Sequence, residues 1–187
     1  ILAQVAEGLV RFRDDGFDVE PALARRWESD PAARRWTFEL RDGIRFSDGA
    51  PLTAETVVES FERGRKFGGR IGAVSPGAVR FELDHPNRRF PEFLAQSYYL
   101  VSRVDGSANG YLGTGPFRVE TVTRGATEVV LGPNPSWRGK RGAVTTLVFR
   151  HVPYVTLLPR ALAEGSVDLT DEVAPSVQHL LRESIQV

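Results

Sequence analysis

The chain has 187 residues, a formal net charge of zero, and apolar and charged fractions of 41% and 26%, which suits one domain with a core or one lobe of a larger protein. It contains no cysteine, which excludes a disulfide scaffold, a thiolate metal site and a cysteine nucleophile. The balanced charge excludes a large uniform field for DNA or anionic membranes, and no apolar run approaches the roughly 18–20 residues of a membrane span.

The first third of the chain predicts a helix end, two strands and a capped helix. Residues 2–9 carry apolar side chains at a helical spacing, and residues 36–40 alternate apolar with polar side chains as a half-buried strand does. The Asp-Gly pair at 42–43 is typical of a tight turn, and residues 44–46 continue the alternation, which predicts a hairpin. Residues 53–63 predict a helix whose first residue, a threonine, caps its N-terminus.

The middle of the chain predicts short elements joined by loops. Residues 64–72 are rich in glycine and basic side chains and predict a flexible loop. Residues 79–83 alternate as a strand, residues 90–95 predict a short helix, and residues 98–101 predict another strand. Residues 107–115 are mostly small and predict a loop.

The last third predicts a strand pair, a strand, a helix, a brief strand and a final amphipathic helix. These elements occupy, in that order, residues 117–119 with 128–131, 145–151, 154–163, 167–169 and 176–183. Strands and helices are mixed without strict alternation, so we predict mixed β-sheets with flanking helices in an α/β (mixed α+β) fold.

No catalytic or metal-binding pattern is present in the sequence. The three histidines, His85, His151 and His179, are scattered and lack the spacing of a metal motif. The run from Gly113 to Gly115 is followed by proline rather than by Lys-Ser or Lys-Thr, so it is not a phosphate-binding loop. We therefore predict that the chain is not an enzyme, with no catalytic residues, no metal site and no cofactor.

A long ordered segment resembles a known family. Residues 36–55 read WTFELRDGIRFSDGAPLTAE, which resembles the signature of bacterial family 5 extracellular solute-binding proteins, a family that includes oligopeptide-, dipeptide- and nickel-binding proteins. Residues 113–117 (GTGPF) are similar to its GTGPY element, and residues 134–139 and 161–169 resemble two later elements in the family's order. The resemblance covers essentially the whole chain.

The resemblance implies a fold and a domain organisation. We expect the first lobe of a periplasmic-binding-protein-like type II fold, in which residues 1–35 and 140–187 pack as one subdomain around an inserted subdomain of residues 36–139. The second ligand-binding lobe is expected to be absent from this chain, and the start at Ile1 without a methionine suggests that any signal peptide or lipid anchor has been removed.

The resemblance also implies candidate ligand-binding residues. In the family, the loop after the helix that matches residues 90–95 borders the ligand cleft, which points to Ser97, Tyr98 and Tyr99. Small residues let a backbone approach a ligand closely, which adds three further candidates: Gly113, Thr114 and Gly115. Because adjacent residues of a strand point to opposite faces, we expect at most one of the two tyrosines to face the ligand.

The function that the resemblance implies is capture of a solute, expected to be a peptide, for an ABC-type importer at the periplasmic or extracellular face of the membrane. The partners implied are a peptide or other small solute, the membrane subunits of the importer and the second lobe, with no nucleic acid. Two alternatives stay open: a ligand-sensing module of a transcription regulator, and a standalone partner-binding module derived from the same fold. An upstream helix-turn-helix would favour the regulator, and a signal peptide with a lipid-anchor cysteine would favour the importer.

Overall fold

The structure is a computed structural model that describes residues 1–14, 16, 18–63, 66–104, 106, 110–123, 125 and 127–170. Its helices are α1 (Leu2–Val5), α2 (Ala54–Glu62), α3 (Phe90–Leu94) and α4 (Leu158–Ala163), with short 3₁₀ turns at Ser97–Tyr99 and Val155–Leu157. Its strands are β1 (Val10–Phe12), β2 (Val19–Pro21), β3 (Ala24–Ser29), β4 (Arg35–Leu40), β5 (Gly69–Ser75), β6 (Ala78–Leu83), β7 (Arg103–Val104), β8 (Tyr111–Leu112), β9 (Phe117–Val122), β10 (Glu128–Pro133) and β11 (Leu147–Arg150). The predicted mixture of helices and strands is confirmed.

The core lies on one face of a four-stranded antiparallel sheet of order β3-β4-β6-β5. In its centre Trp36 pairs with Phe81, and Phe38 pairs with Val79. Because side chains alternate along a strand, these four residues share one face, and all four are buried. Six aromatic residues form what we call the aromatic core: Trp36, Phe38, Phe61, Phe67, Phe81 and Phe90.

Helix α2 covers this face and begins where the sequence predicts. The Thr53 hydroxyl accepts a hydrogen bond from the Thr56 N–H at 3.3 Å, and the Thr56 hydroxyl accepts one from the Thr53 N–H at 3.0 Å. This reciprocal cap satisfies two amide groups that the first helical turn leaves without partners. Phe61 on the same helix then reaches the aromatic core, with its ring centroid 5.1 Å from that of Phe81.

The predicted hairpin at residues 42–46 is wrong. Both edges of β4 are occupied, by β3 on one side and by β6 on the other, so residues 44–46 have no free edge of β4 to pair with. The chain instead turns through Gly43 at φ 74° and buries Ile44 and Phe46 without forming a strand. An alternating pattern here reflects side chains that reach the core from an irregular segment.

Three further predictions differ from the structure. The predicted loop at 64–72 contains the start of β5, which its pairing with β6 stabilises despite three glycines in the described part of this stretch. Residues 98–101 form a 3₁₀ turn and a single bridge rather than a strand, and residues 167–169 form no strand. The predicted helix at 176–183 and residues 107–109 lie outside the described residues.

The remaining predicted elements are confirmed with small shifts of their ends. They are β6, α3, the neighbouring strands β9 and β10, strand β11, and the 3₁₀ turn that continues into α4. Small two-stranded sheets form from β1 with β2 and from β7 with β8. No helix in the described ranges is both long and apolar enough to cross a membrane.

The chain divides into two compact units. The first holds Ile1–Thr121 and Val130–Leu147, and the second holds Val122–Val129 and the described part of Val148–Val187. The first contains the four-stranded sheet, the aromatic core and all six predicted ligand-binding residues. The expected grouping of residues 1–35 with 140–187 around an inserted 36–139 stays a prediction.

Candidate functional site

The Gly113–Thr114–Gly115 segment packs main chain against main chain. The Gly115 N–H donates to the Val5 carbonyl at 2.8 Å, and the Gly113 carbonyl accepts from the Ser47 N–H at 2.9 Å. A Cβ on Gly113 would overlap the Val5 carbonyl oxygen, and one on Gly115 would lie 2.7 Å from the Val5 carbonyl carbon. Close approach to the N-terminal segment therefore requires glycine at both positions.

A set of polar contacts surrounds this segment. The Glu7 carboxylate accepts a hydrogen bond from the Thr114 hydroxyl at 3.0 Å and two from the Arg138 guanidinium at 2.6 and 2.8 Å. The Asn134 side chain, which is fully buried, donates to the Gly115 carbonyl at 2.7 Å. We call this set the polar junction: Glu7, Gly113, Thr114, Gly115, Asn134 and Arg138.

The polar junction ties together three segments that are distant in sequence. A two-pronged pairing of arginine with carboxylate fixes orientation as well as distance, and the Glu7 side chain is only 14% exposed. The Arg138 guanidinium also lies 5.3 Å from the ring centroid of Trp137, within the range of a cation–π contact. These contacts hold the Gly113–Thr114–Gly115 segment in one position.

A cavity of about 430 Å³ adjoins this segment. Its lining consists of Ser47, Asp48, Tyr111, Leu112, Arg118, Val119 and Glu120. Asp48 pairs with Arg103 at 2.8 Å, and Arg118 pairs with Glu120 at 3.5 Å. The cavity therefore offers carboxylates, a guanidinium and a phenol around a small apolar surface, a lining that suits a polar solute carrying both signs of charge.

Sequence reasoning did not single out these lining residues. Ser47 and Asp48 belong to the 36–55 segment, from which no ligand-binding residue was predicted, and the alternation along β9 was sufficient to place Arg118 and Glu120 on one face. What the sequence could not indicate is that β8, β9 and the 47–48 turn face one another. The Ser47 N–H bond to Gly113 is the direct link between this cavity and a predicted site segment.

The other predicted segment, Ser97–Tyr99, places its two tyrosines in different environments. Tyr98 is 60% exposed, whereas Tyr99 is 5% exposed and donates its hydroxyl to the Lys66 carbonyl at 3.0 Å. Burial, with a smaller contribution from Tyr98, raises the pKa of Tyr99. The two side chains diverge on a 3₁₀ turn instead of on the predicted strand, and the expectation that at most one of them faces a ligand stays a prediction.

The six predicted ligand-binding residues therefore fall into two groups. Ser97 and Tyr98 are exposed, and neither they nor Tyr99 line the cavity. Gly113, Thr114 and Gly115 are buried in the polar junction beside it. Their contact with a ligand stays a prediction.

Metal-ligating side chains do not cluster in the described ranges. There, no group of three or more histidine, aspartate or glutamate side chains is placed to hold a metal ion. His85 and His151 are both exposed, and His179 lies outside the described residues. The polar junction and the cavity lining interact through hydrogen bonds and ion pairs.

Residues 18–187 match the sequence profile of the bacterial extracellular solute-binding proteins, family 5 middle region. The chain belongs to this family. The match includes the four-stranded sheet, the polar junction from Gly113 onward and the whole lining of the cavity, so the resemblance of residues 36–55 and 113–117 is confirmed.

Two relatives whose names are those of periplasmic binding proteins match nearly the whole chain. The chain is 29% identical over 205 residues to the probable D,D-dipeptide-binding periplasmic protein DdpA of Escherichia coli (strain K12), covering 96% of the chain and 40% of DdpA. It is 38% identical over 221 residues to the periplasmic murein peptide-binding protein MppA of the same strain, covering 98% of the chain and 41% of MppA. The chain thus spans about two fifths of the length of these relatives.

A solved structure confirms the fold. The nickel ABC transporter protein of Bacillus halodurans superposes with a TM-score of 0.82 at 22% identity, covering 96% of this chain and 40% of that one. Structural similarity at 22% sequence identity establishes the fold and not the function. The expected type II periplasmic-binding-protein fold is confirmed.

Proposed function

We propose that this chain is the first lobe of a solute-binding component of an ABC importer and that its solute is a peptide. The observation that carries the proposal is the family match over residues 18–187. Peptide is favoured because DdpA and MppA are named for dipeptide and murein peptide binding. The cavity beside the polar junction, with Asp48, Arg118 and Glu120 in its wall, suits the two opposite charges of a peptide.

The proposed mechanism is binding between two lobes without catalysis. The first lobe offers a rigid wall, because its loops are held by the polar junction and its sheet by the aromatic core. A second lobe, which would correspond to the remaining length of the relatives, would close over the solute by a hinge motion. Main-chain hydrogen bonds and bridging water would then hold the peptide with broad specificity.

One lobe covers one side of a ligand, so we expect the 187 residues alone to bind weakly. The proposed place of action is the periplasmic or extracellular face of the membrane, with the importer's membrane subunits as partners. In the regulator alternative the same lobe would report solute binding to a DNA-binding region, and in the standalone alternative it would bind a protein partner. The sequence encoded upstream of residue 1 distinguishes the importer component from the regulator.

Isothermal titration calorimetry tests the proposal. The 187-residue chain and the product of the whole gene would each be titrated with di-, tri- and tetrapeptides and with a nickel–histidine complex as the control solute. We expect micromolar peptide binding by the whole product and binding at least about 100-fold weaker by the 187 residues. Micromolar binding by the 187 residues would contradict the two-lobe mechanism, and a whole product that binds nickel–histidine but no peptide would contradict the choice of solute.

A further inference from the structure

Strand β5, Gly69–Ser75, forms an open edge of the four-stranded sheet. In the part of the chain that the structure describes, β5 pairs with β6 and with no other strand. Its seven residues carry a single charge, at Arg70, and its register shift lies near the end, between Ala73 and Ser75. Natural edge strands are normally protected by several charges, a proline or a central bulge, and β5 has none of these.

The hydrogen-bond alternation shows which β5 residues bond to β6. The Asp84 N–H donates to the Gly68 carbonyl at 2.8 Å. In an antiparallel ladder, bonded pairs recur at every second residue. Arg70 and Gly72 are therefore the β5 residues whose backbone groups bond to β6.

The other side of β6 gives the same result. The Leu83 N–H donates to the Arg34 carbonyl at 2.7 Å, toward β4, so its neighbours along β6 point toward β5. It follows that the N–H and carbonyl groups of Ile71 and Ala73 point away from β6. Two consecutive sets of backbone donors and acceptors thus face outward along this edge.

A shallow hollow of about 300 Å³ lies beside these groups. Its lining consists of Arg70, Ile71, Gly72, Ala73, Val74, Arg80 and Glu82. Gly72 pairs with Arg80 across the ladder, and a Cβ on Gly72 would meet nothing within 4 Å. The hollow exists because the residue opposite Arg80 has no side chain.

The charge of this hollow is not balanced. Arg70 pairs with Glu82 at 3.0 Å, whereas Arg80 takes part in none of the ion pairs among the described residues and makes only a 3.5 Å hydrogen bond to the Thr37 hydroxyl. Among the described residues, a guanidinium without a carboxylate therefore lies next to open space and an unpaired strand edge, and this arrangement favours a carboxylate ligand.

We propose that β5 binds an extended segment of a partner protein by strand addition, with an acidic side chain of that segment lying over Gly72 and pairing with Arg80. Ile71 and Ala73 supply the main-chain hydrogen bonds, and Arg80 selects the sign of the side-chain charge. This surface is separate from the cavity beside the polar junction and does not depend on the identity of the solute.

Peptide binding to the 187-residue chain tests this proposal. The probe is a fluorescent peptide with the sequence Thr-Val-Glu-Val-Thr, and the matched control replaces its glutamate with lysine. In fluorescence anisotropy we expect the glutamate peptide to bind at least about tenfold more tightly than the lysine peptide. Hydrogen exchange of the Ile71 and Ala73 amides should slow when the glutamate peptide is bound.

Two variants check the two halves of the interaction. Arg80→Gln should weaken the glutamate peptide by about tenfold, whereas Arg88→Gln, at an exposed arginine outside the sheet, should leave its affinity unchanged. Ala73→Pro removes an outward N–H but no bond to β6, so it should abolish peptide binding while the circular dichroism spectrum stays the same. If Ala73→Pro proves misfolded, the test rests on Arg80→Gln, which should weaken binding of the glutamate peptide without changing the melting temperature of the chain.

Three results would overturn the proposal. One is equal binding of the glutamate and lysine peptides. Another is peptide binding without any slowing of exchange at Ile71 and Ala73. The third is self-association of the chain through β5 in analytical ultracentrifugation, abolished by Ala73→Pro, which would make a second copy the occupant of this edge.

Discussion

The aromatic core and the polar junction belong to the same compact unit but are held together by different forces. The aromatic core consists of rings packed edge to face, with Phe81 at 5.1 Å from each of Phe61, Phe67 and Phe90. The polar junction consists of directed hydrogen bonds and one two-pronged ion pair between Glu7 and Arg138. Burial of apolar surface is non-directional and tolerates changes of shape, whereas hydrogen bonds demand particular atoms at particular places.

This contrast predicts the largest loss of stability in the aromatic core. Phe81→Ala removes a ring that contacts four aromatic neighbours, so the free energy of unfolding should fall by about 3–5 kcal/mol. Phe81→Leu should cost markedly less, because most of the apolar volume remains. Urea denaturation followed by circular dichroism measures both, with Phe12→Ala, at a ring that is 38% exposed, as the control. Equal losses for Phe81→Ala and Phe81→Leu would show that ring geometry, not apolar volume, stabilises this region.

A smaller but sharper effect is expected in the polar junction. Gly113→Ala adds one carbon that must overlap the Val5 carbonyl, and backbone cannot move aside easily, so we expect a loss of about 1–3 kcal/mol. Gly77→Ala is the matched control, because a Cβ there meets nothing within 4 Å. The same denaturation measurement compares them. A neutral Gly113→Ala would mean that this segment is not held against the N-terminal segment.

The ion pair of the polar junction should contribute less than its glycines. Glu7→Gln keeps the size of the side chain but removes its charge, and we expect a loss of about 1–2 kcal/mol because Arg138 is left with a weaker partner. Glu20→Gln breaks a more exposed pair with Arg11 and should cost less than about 0.5 kcal/mol. A double-mutant cycle with Arg138→Gln would show no coupling if Glu7 acted through packing alone.

The smallest effect concerns the turn between β3 and β4, at the rim of the aromatic core. The Arg35 and Arg34 N–H groups donate to the Asp30 carboxylate at 3.1 and 2.8 Å, which lowers the pKa of Asp30 in the folded chain. A lowered folded pKa means that the stabilisation is present above the unfolded pKa and is lost as pH falls through the folded value. Asp30→Asn should therefore flatten the acid limb of the stability curve, measured by thermal denaturation between neutral and acidic pH. Asp42→Asn, at a side chain that is 98% exposed, should leave that limb unchanged.

Local patterns were sufficient for the elements of the aromatic core. The alternation at 36–40 and 79–83 predicted β4 and β6, and the threonine at 53 predicted the start of α2, because each signal involves neighbours along the chain. The hairpin at 42–46 failed because a pattern of alternation does not say whether the edge of the adjoining strand is free. Strand β5 was not predicted because glycine does not favour a strand. Its strand conformation depends on pairing with β6.

The polar junction had no local signal at all. Glu7 and Arg138 are 131 positions apart, and Glu7 and Thr114 are 107 apart, so no spacing in the sequence connects them. The segment from Gly113 to Gly115 could be identified by its likeness to a family element, but its packing against Val5 could not. The lining of the cavity was likewise dispersed over a turn and two strands.

The sequence by itself determined the family, the fold class and the positions of most helices and strands of this protein, because these depend on periodic burial and on capping over a few residues. Only the tertiary structure decided which strands pair, which glycines are needed for close backbone contact, which charges meet at Glu7, and that Arg80 has no ion-pair partner among the described residues. Those outcomes depend on contacts between residues that are distant in sequence. Such contacts are set by how whole helices and strands pack, and not by each residue's neighbours along the chain.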